Sequence, residues 1–390
     1  MNVVPLAFHS PRAVREALSA HGWEPGPAEN ASLGISPLAF HLTGLDQETL
    51  EALVPAAGRL GLEVQTGDSW AILAGSRSRL SVLARPWTVP DPLRELAVQV
   101  GLAMPAEPPA AWLTARGPVA LDRPVLMGIL NVTPDSFSDG GRFAEPGPAL
   151  AQAERLLSDG ATLLDVGGES TRPGRSEAVP EAEERRRILP VIQSLVRAHP
   201  DALISVDTVK SGVARAALDA GAAVVNDVTA FRHDPEMGAV AATAGAGVVL
   251  MHSRGALLEI ASYAHADYGA DVVGAVLREL ADALAAAVAR GIAPEAVAVD
   301  PGLGFSKTVE QSARVLDGLG AFQAIGRPVV VGPSRKRFVG ALSGRDVADR
   351  DRATATVCAL AWERGARVFR VHDVAAAREA LAVAHALNEP

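Results

Sequence analysis

The chain has 390 residues, a formal net charge of −9, 48% hydrophobic residues and a single cysteine, Cys358. That length allows two or three domains, or one large barrel with an addition, and it supports full hydrophobic cores without disulfides. One cysteine excludes an intrachain disulfide and a multi-cysteine metal site, and the acidic balance argues against a general nucleic-acid binder. The first residues lack the basic-then-apolar layout of a signal peptide, and the longest apolar stretch, near residues 238–251, is too short to span a bilayer. The expectation is a soluble, cytoplasmic protein with no nucleic-acid or membrane partner.

Residues 1–104 hold three of the five tryptophans (Trp23, Trp70, Trp87) and no lysine. Short β-type runs at 3–8, 37–43, 70–74 and 80–84 mix with helical stretches at 11–21, 47–60 and 92–100. This predicts a small α+β accessory domain with its own core and no catalytic constellation. Residues 105–111, with Pro105, Pro108 and Pro109, read as a stiff linker.

From residue 112 to 390 the pattern becomes regular. Eight apolar runs, at 125–131, 162–168, 203–208, 224–229, 248–252, 297–302, 329–334 and 368–373, alternate with stretches of helical period. Those stretches fall at 148–159, 181–198, 211–220, 235–244, 270–290, 310–318, 352–364 and 374–387. Continuous β-branched runs mark buried parallel strands. Eight strand–helix units, with no Gly-x-Gly-x-x-Gly after the first strand, predict a closed (β/α)8 TIM barrel rather than an open doubly wound sheet.

Nearly every run ends in a polar residue that packing does not demand: Asn131, Gly168–Glu169, Asp207, Asn226–Asp227, His252, Asp300, Ser334–Arg335–Lys336 and His372–Asp373. A helix cap would explain any one of them; eight in step on one rim of a barrel predict an active site. Arg172, Lys336, Arg370 and His372, with Arg254 and Lys307 as additions, suit an anion such as a phosphate or diphosphate. Asp207, Asn226 and Asp300 suit a flat heterocycle with several N–H donors. Only three of the 36 basic residues are lysines (Lys210, Lys307, Lys336), and each follows a barrel strand, where a compact point charge serves better than a planar fork. Two polar, glycine-bearing segments, 131–141 and 167–175, read as lids over substrate.

The segments MGILNVTPDSFSDGGRF, LLDVGGESTRPG, ISVDT, VVNDV, VVLMH, DPGLGF, SRKRFVG and RVHDV together resemble dihydropteroate synthase. The likeness runs from about residue 112 to the C-terminus and does not include residues 1–104. It implies a folate-pathway transferase that joins 4-aminobenzoate to 6-hydroxymethyl-7,8-dihydropterin diphosphate, releasing diphosphate by an SN1-like route. By position it implies Mg²⁺ at Asn131, diphosphate at Thr171, Arg172, Arg370 and His372, and pterin at Asp207, Asn226, Asp300 and Lys336, walled by Ile129, Val228 and Met251. Phe137, Pro173 and Phe305 would flank the aminobenzoate. Asp139 would act in the first loop, with Arg172 and Lys336 beside the reacting atoms. Arg337 stands where many members have Ser, which leaves open whether its side chain, the backbone or solvent meets the aminobenzoate carboxylate. The family likeness also implies a homodimer formed through the later helices. A corrinoid methyltransferase on the same barrel would share the pterin floor but has no use for the diphosphate cations.

Overall fold

The computed structural model describes residues 37–104, 109–133, 146–169 and 177–388. The chain divides into two compact units, Met1–Pro105 with Ala386–Pro390, and Ala106–His385.

In the first unit, strands β1 (Pro37–Thr43), β2 (Glu63–Thr66) and β3 (Trp70–Ser76) form an antiparallel sheet with β3 central. Helix α1 (Gln47–Arg59) begins where the Asp46 carboxylate accepts the Thr49 N–H at 2.8 Å. Helices α2 (Arg77–Leu83) and α3 (Arg94–Ala103) complete a core of Leu50, Leu53, Leu73, Leu80, Leu83 and Leu93. The run at 80–84, expected as a strand, is part of α2. Leu80 and Leu83 lie three apart on its buried face, and Ser76 caps its first turn. Strand β2 escaped the sequence pattern because its four residues, EVQT, are mostly exposed and carry one apolar side chain. The expected elements at 3–8 and 11–21, and most of the linker, lie outside the described residues.

The second unit opens with a hairpin, β4 (Ala111–Thr114) and β5 (Gly117–Ala120). Eight parallel strands then close into a barrel: β6 (Val125–Asn131), β7 (Leu163–Gly167), β8 (Leu203–Asp207), β9 (Val224–Asp227), β10 (Gly247–Met251), β11 (Val297–Asp300), β12 (Val329–Val331) and β13 (Ala366–Val371). The helices between and after them are α4 (Pro146–Ser158), α5 (Glu181–Ala198), α6 (Ser211–Asp219), α7 (Met237–Thr243), α8 (Val272–Ala289), α9 (Val309–Asp317), α10 (Arg337–Ser343), α11 (Asp351–Glu363) and α12 (Val374–Asn388). The eight expected strands and eight expected helices are present; α10 is an additional short helix. Strand β12 stops three residues before the predicted end, since Pro333 has no N–H to continue a ladder.

Period-2 alternation sorts the strand residues. Leu126, Leu164, Ile204, Val225, Leu250, Val299, Val331 and Phe369 face the helices and join the outer core. Val125, Met127, Leu163, Val224, Val249, Ala298, Val330 and Val368 form a separate inner cluster with Trp112, Val119 and Leu121 of the lead-in. The hairpin thus plugs the barrel, and Trp112, fully buried, anchors it by donating Nε1–H to the Ala296 carbonyl at 2.8 Å. Among the described residues no helix is long and apolar enough to cross a membrane.

Candidate active site

Extending the inner rows by two or four residues toward the C-terminal ends of the strands reaches Ile129 and Asn131 on β6, Asp165 on β7, and Asp207 on β8. The same step reaches Asn226 on β9, Met251 on β10, Asp300 on β11 and Arg370 on β13. The ladder pairs Ile129 with Asp165 and Ser205, and Asn131 with Gly167, Asp207 and Asn226. The apolar floor therefore gives way to a polar layer at the mouth where such barrels carry their chemistry. Gly167 keeps that layer open: a Cβ there would meet the Asp207 Cβ at 3.4 Å.

Within the layer Arg370 is the hub. Its Nε donates to Asp165 Oδ2 and its Nη2 to Asp207 Oδ2, both at 2.6 Å, and Asn226 Nδ2 donates to the same Asp165 oxygen at 3.0 Å. Burial raises the Asp207 pKa; Arg370 opposes the rise, while nearby Asp165 adds to it. Burial likewise raises that of Asp300, against the charge of Lys336 and the Gly302 N–H, which donates to Asp300 Oδ1 at 2.7 Å.

Lys336 donates Nζ–H to the Leu303 carbonyl at 2.7 Å, with its ammonium 4.2 Å above the Phe305 ring. Burial lowers its pKa to about 8, only partly countered by Asp300. The segment after β11 turns sharply at Gly302, whose φ is +67°. A Cβ there would lie 2.0 Å from the His252 carbonyl oxygen, so only glycine fits. Phe305 leans on a small apolar cluster of Val209, Val228, Met251 and Ile260. Ser334 shares a 2.9 Å hydrogen bond between its Oγ and Nδ1 of His372.

The structure thus brings Asp207, Asn226, Asp300, Lys336 and Arg370 into one electrostatic cluster, and Val228, Met251 and Phe305 into the apolar cluster beside Lys336. Of the two possible additional cations, Lys307 acts on Asp300 and Lys336 through its charge, whereas Arg254 is held by Glu279. Lys307 is inside, bonded to His252, and Arg254 makes a forked ion pair with Glu279 beneath the Tyr268 ring, 3.9 Å from its centroid. The Arg337 guanidinium donates to the Ala261 carbonyl at 2.6 Å and stacks on Tyr263. Phe137, Asp139, Thr171, Arg172 and Pro173 lie outside the described residues.

Sequence reasoning missed Asp165. Its signal was present, an acid in the middle of the apolar run LLDVG, but attention went to strand ends. It also treated Asp227 as a rim residue. Asp227 is fully buried and holds the following turn, accepting from Thr229 N, Thr229 Oγ1 and Phe231 N where Ala230 and Phe231 adopt positive φ. Lys210, one of the three lysines that follow barrel strands, bridges Glu169 and the fully buried Glu184.

An inward cluster of carboxylates, an amide and cations over an apolar barrel plug defines a pterin-binding enzyme, and the family model of pterin-binding enzymes matches residues 127–372. The dihydropteroate synthase of Synechocystis is 43% identical over 266 residues, 68% of this chain and 90% of that protein. The dihydropteroate synthase of Mycobacterium leprae is 44% identical over 264 residues, 66% and 91% of the two chains. Among solved structures, the Xanthomonas albilineans dihydropteroate synthase with 4-aminobenzoic acid superposes with a TM-score of 0.66 at 43% identity, covering 72% of this chain and 99% of that one. The same enzyme in complex with 7,8-dihydropteroate gives 0.64 at 41% identity, covering 72% and 99%. The chain belongs to the dihydropteroate synthase family.

Proposed function

We propose that this transferase joins 4-aminobenzoate to 6-hydroxymethyl-7,8-dihydropterin diphosphate, giving 7,8-dihydropteroate and diphosphate, by an SN1-like route. The observation that carries the reading is the convergence of Asp207, Asn226 and Asp300 with Arg370 and Lys336 at one barrel mouth. The first three offer acceptors to the N–H edge of a pterin ring, and the two cations answer the negative charge of an attached anion. Ile129, Val228 and Met251 supply apolar walls for the ring faces. Arg370 and His372, with Thr171 and Arg172 from the second loop, would bind diphosphate oxygens. Phe305, with Phe137 and Pro173, would flank the aryl amine, and Asp139 would belong to the first loop over the site.

Positioning and charge stabilisation supply the rate in this scheme. The C–O bond to diphosphate breaks first, the ring delocalises the positive charge on the exocyclic CH2, and the neutral aryl amine attacks and then loses a proton to solvent. A general base of high strength is unnecessary. Among the described residues no group of three or more His, Cys, Asp and Glu side chains could cage a metal ion. Asn131 offers one hard oxygen at the mouth, the kind of sparse protein ligation that suits Mg²⁺ completed by phosphates and water. Bound there, the ion would neutralise the departing diphosphate.

A homodimer is part of the proposal. Leu342 on α10, Leu360 on α11 and Val383 on α12 are 61%, 41% and 63% exposed, apolar surface that a second copy would cover. Cytoplasmic residence is expected of such an enzyme.

The test is the reaction itself. Incubating the chain with pterin diphosphate and 4-aminobenzoate should release diphosphate and dihydropteroate one for one; methyl transfer or no turnover would refute the assignment.

A further inference from the structure

Resting on the pterin reading above, we infer that Asp165 is a positioning residue that sets the hydrogen-bonding polarity of the ring pocket by locking the orientation of the Asn226 amide and the Arg370 guanidinium. Asp165 lies in the interior row of β7 and is fully buried, one layer below the mouth. Its ladder partners are Ile129 on β6 and Ser205 on β8, and beyond Ser205 lies Val224, so two of the three other residues in this layer carry no charge or hydrogen-bonding side chain. A hydrophobe would fill the place without the cost of burying a carboxylate.

What the carboxylate adds is direction. Oδ2 accepts from Arg370 Nε and has no proton of its own to give, so the Asn226 group 3.0 Å from it is the NH2. The Asn226 carbonyl oxygen is thereby turned away from Asp165, and among the described residues no donor satisfies it. It is left as a third acceptor beside Asp207 and Asp300. Were the amide to rotate by half a turn, the pocket would present NH2 to a ring edge that also carries N–H.

The same oxygen takes Arg370 Nε while Asp207 takes Nη2, so two bonds fix the plane of the guanidinium. Nη1 is left without an acceptor among the described residues. Among the described residues, neither the second carboxylate oxygen, Oδ1, nor the hydroxyl of Ser205, its neighbour in register on β8, has a hydrogen-bond partner. Asp165 works through Oδ2, toward the two groups that face the ligand.

The experiment compares wild type, Asp165→Asn and Ser205→Ala as full chains. Calorimetry with 6-hydroxymethylpterin, which carries no diphosphate, reads ring recognition alone, and steady-state kinetics separate the two KM values. Asp165→Asn should weaken pterin binding and raise the pterin diphosphate KM about ten- to a hundredfold, the loss of charge-assisted hydrogen bonds. The aminobenzoate KM should stay unchanged, and Ser205→Ala, in the same layer, should bind pterin like wild type. Unaltered pterin affinity in Asp165→Asn, or an equal loss in Ser205→Ala, would overturn the inference. A wild type that binds no pterin overturns the functional reading and this inference with it. Should Asp165→Asn fail to fold, the Asn226 side-chain amide of wild type, assigned by its disappearance in Asn226→Asp, decides the matter. Its protons should be protected from exchange without ligand and remain so with pterin; free exchange in the empty protein contradicts a lock.

Discussion

Lys307 donates a hydrogen bond 2.8 Å long to Nδ1 of His252, one buried base supporting another. The geometry requires Nδ1 to be bare, so the imidazole carries its proton on Nε2, where it donates to Glu279 Oε2 at 3.0 Å. The two remaining donors of Lys307 reach the carbonyls of Gly302 and Phe305, at 3.2 and 3.1 Å. Two lysines therefore grip one short segment, since Lys336 holds the Leu303 carbonyl between those two. Burial, with Lys307 nearby, lowers the His252 pKa to about 4, and burial lowers that of Lys307 to about 7.

Acid stability follows from His252. Its folded value lies below its ordinary 6.5, so the unfolded chain binds more protons in the window between, and stability falls as pH drops from 6.5 to 4. For a group only 4% exposed, the contribution is about 3 kcal/mol. Glu279, held near 2 by His252 and Arg254 in spite of burial, extends the loss below 4.5. Urea midpoints taken between pH 6.5 and 4.5 should fall less steeply for His252→Gln than for wild type. Parallel slopes would count against this pairing.

Arg370→Met should be costly to fold. From the sequence Arg370 reads only as a rim cation for an anion. The structure adds an internal role, because Arg370 neutralises Asp165 and Asp207 inside the barrel. Leaving both carboxylates unpaired should destabilise by about 3–5 kcal/mol. Asp207, raised by burial and deprived of the opposing charge of Arg370, would bind a proton that the unfolded chain releases, so the deficit should be greater at pH 8 than at pH 5. Denaturation at the two pH values measures it.

Ring binding should weaken in alkali. Lys336 has a pKa lowered to about 8, so its ammonium is lost above that pH and with it the charge facing the anionic substrate. The pterin diphosphate KM should rise above pH 8 in wild type. Lys336→Arg, of lower affinity, should show no such rise up to pH 10, since guanidinium keeps its proton.

Chelation should separate two ligands. Removing Mg²⁺ should weaken binding of pterin diphosphate and leave that of 6-hydroxymethylpterin unaltered, read by calorimetry. Equal losses would argue against a metal role at Asn131.

The barrel was legible because its strands are long β-branched runs and its helices sit between them at even spacing. The cluster was legible at Asp207, Asn226, Asp300 and Lys336, since each stands at the polar end of a run, and at Arg370, a cation inside the last run. Other features depend on contacts that spacing does not encode. Asp165 lies mid-strand, and its purpose shows only through Arg370, 205 residues away. Lys307 reads as an exposed cation until Gly302 folds its loop back against His252. The 80–84 run reads as a strand until its leucines are seen to share one helix face with a capping Ser76.

The holding of every lysine has a chemical consequence. Lys210 sits between two carboxylates, Lys307 among three acceptors and Lys336 against a carbonyl and a ring. Amines so engaged and so little exposed are hard to reach, so acylating reagents meet few accessible side chains on the native surface. The rate at which these amines become modified then reports how often the barrel opens, a built-in clock for its unfolding.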